Sequence, residues 1–148
     1  MQRKTLRENA LSMLDTAIST VERDFEDCLQ ALKTSPYNIV SYGTPYVRAG
    51  MKKRYYEAVR TRLLTEGDDR AVIGLIRSSV KGLHSEEATG LSPAWILFLD
   101  GLRDAKRDVV AHFLYICDAL EQLEVLQTQN KIIYETGTIQ KDQKVSAE

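Results

Sequence analysis

Apolar residues recur along the first third of the chain at spacings of three and four, with polar residues between them. This heptad-like pattern predicts a long amphipathic helix whose apolar seam faces another helix. No proline or glycine precedes Ser35, so the helix could extend over about 30 residues, or about 45 Å. The stretch "SPYN" is predicted to end it, because the residue before a proline avoids the helical region. The seam consists of Leu11, Leu14, Ile18, Val21, Phe25, Cys28 and Leu32.

A second helix is predicted to begin at the turn "SYGTP". Thr44 is suited to cap this helix, and Pro45 is suited to its first position. The stretch "EGDD" is predicted to end it, with Asp68 or Asp69 as the cap of a third helix. The second helix has an apolar stripe of Val47, Met51, Tyr55, Ala58, Val59 and Leu63.

The third helix is predicted from Val72, Leu75, Ile76, Val80 and Leu83. Two glycines interrupt it, Gly74 and Gly82. Each weakens the helix by about 1 kcal/mol relative to alanine, or else allows a neighbouring helix to pack closely.

A fourth helix is predicted after "GLSPAW", where Gly90 breaks the preceding helix, Ser92 caps and Pro93 begins the new one. It extends to Gln127 or beyond, and residues 131–148 are predicted to be a polar, flexible tail. The expected fold is thus one all-α domain over residues 1–130, either globin-like or a bundle of four main helices with long first and last members. The apolar positions of the fourth helix are Phe98, Leu102, Ala105, Val109, Phe113, Ile116, Leu120 and Leu123.

The composition favours a soluble cytoplasmic protein. The chain has 148 residues, 43% hydrophobic and 28% charged, with a net charge of −1. No overall field draws it to nucleic acid or to a membrane, and no apolar run is long enough to span a bilayer. Cys28 and Cys117 lie 89 positions apart, without a metal or redox spacing. Buried inert thiols are expected, with redox work or bilin attachment as the alternative.

Candidate chemistry is sparse. His112 lies beside Phe113 and could ligate a haem, but a histidine bonded to a neighbouring side chain is the expected role. His84 is predicted near a helix end, where a protonated ring would favour the dipole. The sequence has no Glu-x-x-His pair for a di-iron site and no hydrolase, phosphate-loop or dinucleotide motif. We therefore expect neither a metal site nor an enzyme.

A basic cluster on the second helix is the clearest candidate surface. Six cations surround Glu57, and the adjacent Tyr55 and Tyr56 add stacking surface. Such a face could bind a protein partner, a phosphate or nucleic acid. The alternative is a solvated face whose cations pair with acids of the first helix, such as Glu22, Asp24 and Glu26. The cations are Arg48, Lys52, Lys53, Arg54, Arg60 and Arg62.

Several short motifs between about residues 36 and 110 resemble the phycobilisome (phycobiliprotein) family. They are "SPYNIVSYGTPY", then "RYYEAVRTRLL", then "EGD", then "TGLSPAWILFLDGLRDAKRDVV". The family has a turn that contains proline and glycine before the bilin-bearing helix, a Gly-Asp turn similar to Gly67-Asp68, and a later loop and helix similar to Gly90 to Lys106. The resemblance implies a globin-like helical fold. Sensor domains that have the globin fold but lack haem are an equally reasonable match.

The helix after the turn departs from the family at the pigment site. Pigmented members attach bilin to a cysteine followed by Arg-Asp, whereas this helix reads "MKKRYYEAVRTRLL". The resemblance therefore implies a pigment-free relative that acts through protein contacts in the assembly or regulation of an antenna, without a covalent cofactor.

Two alternative functions and two uses of the first-helix seam stay open. A pocket lined by Met51, Tyr55, Trp95, Phe98 and Phe113, with His112 nearby, could hold a tetrapyrrole such as a bilin or haem, or a lipid, without a covalent bond. The basic helix 45–64 could bind nucleic acid, although the near-neutral net charge argues against it.

The seam could form a homodimer, or it could be buried within the chain.

Overall fold

The structure is a computed structural model that describes residues 4–85 and 99–146, and the side chains of residues 4–84 and 99–133. All regular structure in these ranges is helical, which confirms the predicted all-α class and the long first and last helices. The globin-like arrangement stays a prediction. Four α-helices are described, and 3₁₀ turns at Pro36–Asn38 and Asp69–Ala71 precede α2 and α3. The helices are α1 (Leu6–Thr34), α2 (Ile39–Thr65), α3 (Val72–Ser85) and α4 (Leu99–Ser146).

The amino-terminal end of α1 has every first-turn amide hydrogen-bonded. Thr5 and Glu8 form a capping box, in which the Glu8 amide donates to Thr5 Oγ1 at 3.1 Å. Asp69, more than 60 positions away, accepts from the amides of Leu6 at 3.2 Å and Arg7 at 2.9 Å. A carboxylate at this end also favours the helix dipole. These bonds fix the start of α1 to the turn between α2 and α3.

Helix α2 begins six residues earlier than predicted. It starts at Ile39, and Pro45 lies inside it rather than at its first position. A proline inside a helix removes one hydrogen bond, so packing must hold the preceding turn. Asn38 Nδ2 donates to the Ala31 carbonyl oxygen at 2.6 Å, and the Tyr46 ring stacks on Phe25 at 4.7 Å. Contacts with α1 thus override the local start signal.

The ends of α1 and α2 agree with the predictions. Helix α1 stops before Ser35, which has an extended backbone, and α2 stops before Glu66. Asp68 caps the 3₁₀ turn before α3 by accepting from the Arg70 amide at 3.0 Å. The predicted start of the fourth helix, at Ser92 and Pro93, lies outside the described residues.

The core is the shared interior of all four helices. Most first-helix seam residues are buried here, and Leu11 and Phe25 pack partly buried against the core cluster. The seam is therefore used within the chain, which is the second of the two alternatives for it. The largest fully buried side chains are Leu14, Leu63, Val72, Ile76, Val109, Phe113, Ile116, Cys117 and Leu120.

Helix α4 continues well past the core. Leu120 is its last buried residue among the described side chains, yet the helical backbone continues to Ser146. That continuation is 26 residues, about 39 Å of helix. The flexible tail at 131–148 stays a prediction. Within the described residues, none of the helices combines the length and apolar character needed to cross a membrane.

Two glycines have opposite packing environments. A Cβ added at Gly101 would lie 2.8 Å from the Thr44 carbonyl oxygen, so α4 approaches the α2 backbone closely here. Among the described residues, a Cβ at Gly74 or at Gly82 meets nothing within 4 Å. Within this part of the chain, the suggestion that these two glycines permit close packing is therefore wrong.

We expect Gly74→Ala to raise the free energy of unfolding by about 0.5–1 kcal/mol, because alanine loses less backbone entropy in a helix. Gly101→Ala is the matched variant and should lower it by about 1–3 kcal/mol through overpacking. Urea unfolding followed by circular dichroism measures both changes. Equal effects at the two positions would contradict the close approach of α4 to α2.

Asp69→Ala should lower the free energy of unfolding by about 1–2 kcal/mol, because two α1 amides lose their acceptor. Asp68→Ala removes a neighbouring carboxylate that caps only the 3₁₀ turn, and it should cost a few tenths of a kcal/mol. The urea midpoints of the two variants test this difference in stability, provided that the unfolding free energy of both depends equally steeply on urea concentration. A larger loss at Asp68 would show that α1 does not depend on this bond.

Candidate functional site

The basic face of α2 is largely neutralised within the chain. Four of its six cations have a carboxylate oxygen within 4 Å, on the helices at either side. Toward α4, Arg48 faces Asp104 at 3.8 Å and Lys52 faces Asp108 at 3.6 Å. The other two face α1, where Lys53 meets Glu22 at 3.4 Å and Arg60 Nε donates to Asp15 at 2.6 Å.

The remaining two cations of the cluster differ from these four. Arg62 Nη1 donates to Ser79 Oγ at 3.0 Å, and Arg54 is exposed. Of the three acids named from the sequence, Glu22 is the one seen in an ion pair. The pairing with α4 had no sequence signal, because it depends on which helices become neighbours.

The two tyrosines of the basic stretch do not form a stacking surface. Tyr55 is 9% exposed and Tyr56 is 3% exposed, so both belong to the core. The structure thus divides the predicted binding face into two parts. Its cations, Arg48, Lys52, Arg54 and Arg60, lie at the surface or its edge. Its two aromatic rings, Tyr55 and Tyr56, point inward.

Tyr56 connects α2 to α4 through His112. The Tyr56 hydroxyl lies 2.7 Å from His112 Nδ1, and the Tyr56 ring meets Phe113 edge-on at 5.6 Å. Burial lowers the pKa of His112, and Lys52 adds to this. Burial together with Asp108 raises the pKa of Tyr56 to about 12. At neutral pH both groups are therefore uncharged, and one hydrogen bond joins the Tyr56 hydroxyl to His112 Nδ1.

The described residues of the predicted ligand pocket, Met51, Tyr55 and Phe113, belong to the packed core or lie against it. Phe113 is fully buried, and Met51 packs partly buried against the same cluster. Nδ1 of His112 already has a protein partner, as the bonded-histidine interpretation expects. Trp95 and Phe98, the other predicted lining residues, lie outside the described residues.

Both cysteines are buried and unpaired with one another. Burial raises the pKa of each thiol, with Asp24 and Asp27 adding to the effect at Cys28. Cys117 Sγ lies 3.9 Å from the Ile73 carbonyl oxygen. A protonated, enclosed thiol is a poor nucleophile, which agrees with the expected inert role. Among the described side chains, no three histidines, cysteines or acids lie together as metal ligands would.

An open groove separates the end of α3 from the first turns of α4, and we call it the α3–α4 groove. Its volume is about 660 Å³, within the range of small-molecule sites. The floor is apolar and the rim carries histidine, arginine and lysine side chains. The lining residues are Leu83, His84, Leu99, Leu102, Arg103, Lys106, Arg107, Val110, Ala111 and Leu114.

Helix α4 also has large apolar side chains on the face opposite its core. They begin beside the bundle and continue past Leu120, and each is between 46% and 67% exposed. We call this set the outer stripe: Leu114, Tyr115, Val125, Leu126, Ile132 and Ile133. Sequence reasoning missed it, because the buried stripe of α4 dominates the pattern. The recurrence of Val125-Leu126 as Ile132-Ile133, seven residues later, is the signal that could have revealed it.

Comparison of the chain with protein-family models, with curated proteins and with solved structures yields no match.

Tyr56→Phe should lower the free energy of unfolding by about 1 kcal/mol, because it leaves His112 Nδ1 without its hydrogen-bond partner. The His112 pKa is lowered in the folded state from its ordinary 6.5. The unfolded chain therefore binds that proton more readily, and stability is lost as pH falls through and below 6.5. Urea unfolding between mildly alkaline and mildly acidic pH measures this loss.

His112→Gln should remove that part of the pH dependence, whereas His84→Gln, at an exposed position, should keep it. If His112→Gln retained the full acid loss, other groups would be responsible for it. The charged neighbour that acts on His112 is Lys52 from α2, and Asp108 from α4 acts on its partner Tyr56.

Proposed function

We propose that this chain is a non-enzymatic helical protein that acts by binding other proteins through the outer stripe of α4. The observation that carries the proposal is the exposure of six large apolar side chains on one helix. Scattered exposed apolar residues are ordinary, but a group on one side of one helix, with four members between Val125 and Ile133, is typical of an interaction site.

The part of α4 beyond Leu120 strengthens the case. None of the described side chains from Glu121 to Ile133 is fully buried, so tertiary packing contributes little to this part of the helix. Helical segments without tertiary packing are marginal in water. A partner that covers Val125, Leu126, Ile132 and Ile133 would stabilise the helix by about 25 cal/mol for each Å² of apolar surface removed from water.

The ion pairs of α2 argue for protein partners over nucleic acid. Phosphate binding depends on lysines and arginines that release counterions on contact. Here Arg48, Lys52, Lys53 and Arg60 already face carboxylates of α1 or α4. A nucleic acid at helix 45–64 would have to compete with those carboxylates, so we do not favour that alternative.

The resemblance to phycobilisome proteins supports a finer proposal about the partner. The motifs between residues 36 and 110 suggest a pigment-free relative in an antenna, where it would assist assembly or regulation. Phycobiliprotein subunits are then the first partners to try. Binding of purified subunits to the immobilised chain would support this finer proposal, and its absence would leave only the general contact function.

A small-molecule sensor is the second candidate, at a different place from the pocket predicted by sequence. The α3–α4 groove combines an apolar floor with a cationic rim, which suits the carboxylates of a tetrapyrrole or a fatty acid. A shifted visible band with biliverdin or haem, lost in Arg107→Ala, would favour this function. An unchanged spectrum with both pigments, and no binding of a fatty acid, would exclude it.

The contact function predicts that a partner is captured through Ile132 and Ile133. The tagged chain, cross-linked in the cells that express it, should recover a protein partner, and Ile132→Glu should reduce that recovery at least about tenfold. Gln127→Glu is the matched control, since it adds the same charge to α4 on the side of the helix away from the stripe. Recovery that is equal for the two variants would contradict a contact at the outer stripe.

A further inference from the structure

The junction of α1 and α2 presents four large apolar side chains to solvent, and we call them the apolar tip. Tyr37 is 89% exposed and Val40 is 90% exposed, while Ile39 and Tyr42 are 54% and 41% exposed. A single exposed residue of this kind needs no explanation, but these four lie within six consecutive positions. The apolar tip is thus a second exposed apolar surface, on a different helix from the outer stripe.

The part of the chain that carries the apolar tip is uncharged. The 14 residues from Thr34 to Val47 contain no aspartate, glutamate, lysine or arginine, in a chain that is 28% charged. This is the longest such run in the sequence. Charged groups are costly to remove from water, so a stretch without them is suited to entering an apolar environment.

The side chains of the apolar tip surround the first turn of α2 instead of lining one side of it. Successive residues of an α-helix are rotated by about 100°, so Val40 and Tyr42 lie about 160° apart around the axis. Both are exposed, which means that this turn protrudes from the bundle. A rigid partner with one flat face could cover only one of these two side chains. A fluid lipid surface can enclose both, and this favours lipid over protein as the occupant.

The backbone of the junction is suited to a medium that offers few hydrogen-bond partners. The Ser35 amide donates to the Ala31 carbonyl oxygen at 3.4 Å, and the Asn38 amide donates to the Ser35 carbonyl oxygen at 3.0 Å. Pro36 has no amide hydrogen, and its carbonyl oxygen accepts from the Ile39 amide. Because these groups are paired within the chain, moving them out of water does not leave them unsatisfied.

Charged residues next to the apolar tip limit how deeply it can enter. Lys33 is exposed in the last turn of α1, and Asp100 is exposed beside Gly101, which meets the Thr44 backbone. Thr44 lies four residues beyond Val40, or about 6 Å along α2. Surface helices enter a bilayer by about 5–10 Å, a depth at which tyrosine rings are favoured and a lysine can keep its charge in water.

We propose that the apolar tip binds a lipid bilayer by inserting Tyr37, Ile39 and Val40 at the boundary between headgroups and acyl chains. The net charge of −1 gives no long-range attraction to a membrane. The affinity therefore comes from apolar surface and depends little on salt. This binding goes beyond the proposed contact function and does not rest on it, since the outer stripe lies on α4.

Co-sedimentation of the full chain with phosphatidylcholine vesicles tests the proposal. The chain should pellet with the vesicles, and Val40→Glu should lower the partition coefficient at least about tenfold, because a charge would have to enter the acyl boundary. A glutamate in the first turn of α2 suits the helix dipole, so this variant should fold, and circular dichroism checks that it does.

Thr61→Glu is the matched control for this experiment. It adds the same charge to the same helix at an exposed position 21 residues further on, and it should bind vesicles as the native chain does. Failure of the native chain to bind, or equal binding by Val40→Glu and Thr61→Glu, would overturn the proposal.

A fluorescent label measures the insertion directly. Cys28 and Cys117 are both buried, so an environment-sensitive maleimide dye should react selectively with Val40→Cys at position 40. Its emission should rise and shift to the blue when vesicles are added, whereas the same dye on Thr61→Cys should not change. A change at both positions, or at neither, would contradict insertion of the apolar tip.

Two other results would assign the binding elsewhere. Binding that requires vesicles of equal parts phosphatidylcholine and phosphatidylglycerol, and that is lost at high salt, would point to the cations of α2. Capture of a protein that depends on Ile132, without any vesicle binding, would retain the contact function alone. Either result would overturn the lipid proposal, whereas vesicle binding without capture through Ile132 would support it and remove the contact function.

Discussion

The position of a strongly cationic helix between two others is the constraint on which this structure depends. Helix α2 contacts both α1 and α4, so its lysines and arginines cannot all face open water. The acids of the flanking helices meet this need: Asp15 and Glu22 from α1, and Asp104 and Asp108 from α4. Such exposed pairs contribute only about 0–1 kcal/mol each. Their main effect is to favour one arrangement of the helices, while apolar burial provides most of the stability.

Local signals in the sequence were sufficient to predict much of the fold. The apolar spacing of α1 and α3 and the proline after Ser35 predicted those helices and the end of α1, because these features act within a few residues. The burial of both cysteines followed from their positions on apolar stripes. By contrast, Pro45 gave a start signal for α2 that contacts across the α1–α2 junction overrode.

The candidate site was less predictable, since it depends on distant residues. Asp69 was expected to cap a helix, but not α1, whose first turn is more than 60 positions away. Tyr56 was assigned to a surface because cations flank it, whereas its ring is buried beside Phe113 and its hydroxyl meets His112. The polar groups that suggested chemistry are thus engaged in holding helices together. Helix α4, by contrast, presents six large apolar side chains to its surroundings, and that contrast directs the functional argument to contacts with proteins.

The close approach of α4 to α2 at Gly101 lies near the amino-terminal end of a very long helix, so a small tilt there is amplified at the other end. The point at which Gly101 meets the Thr44 backbone is 45 residues from Ser146, or about 68 Å along the helix axis. A tilt of about 10° at that contact would displace the far end by about 12 Å, if the helix stays straight. Such a tilt would also shift the buried contacts of α4 as far as Leu120, so the packing of the core is what keeps the distal part of the helix in one direction.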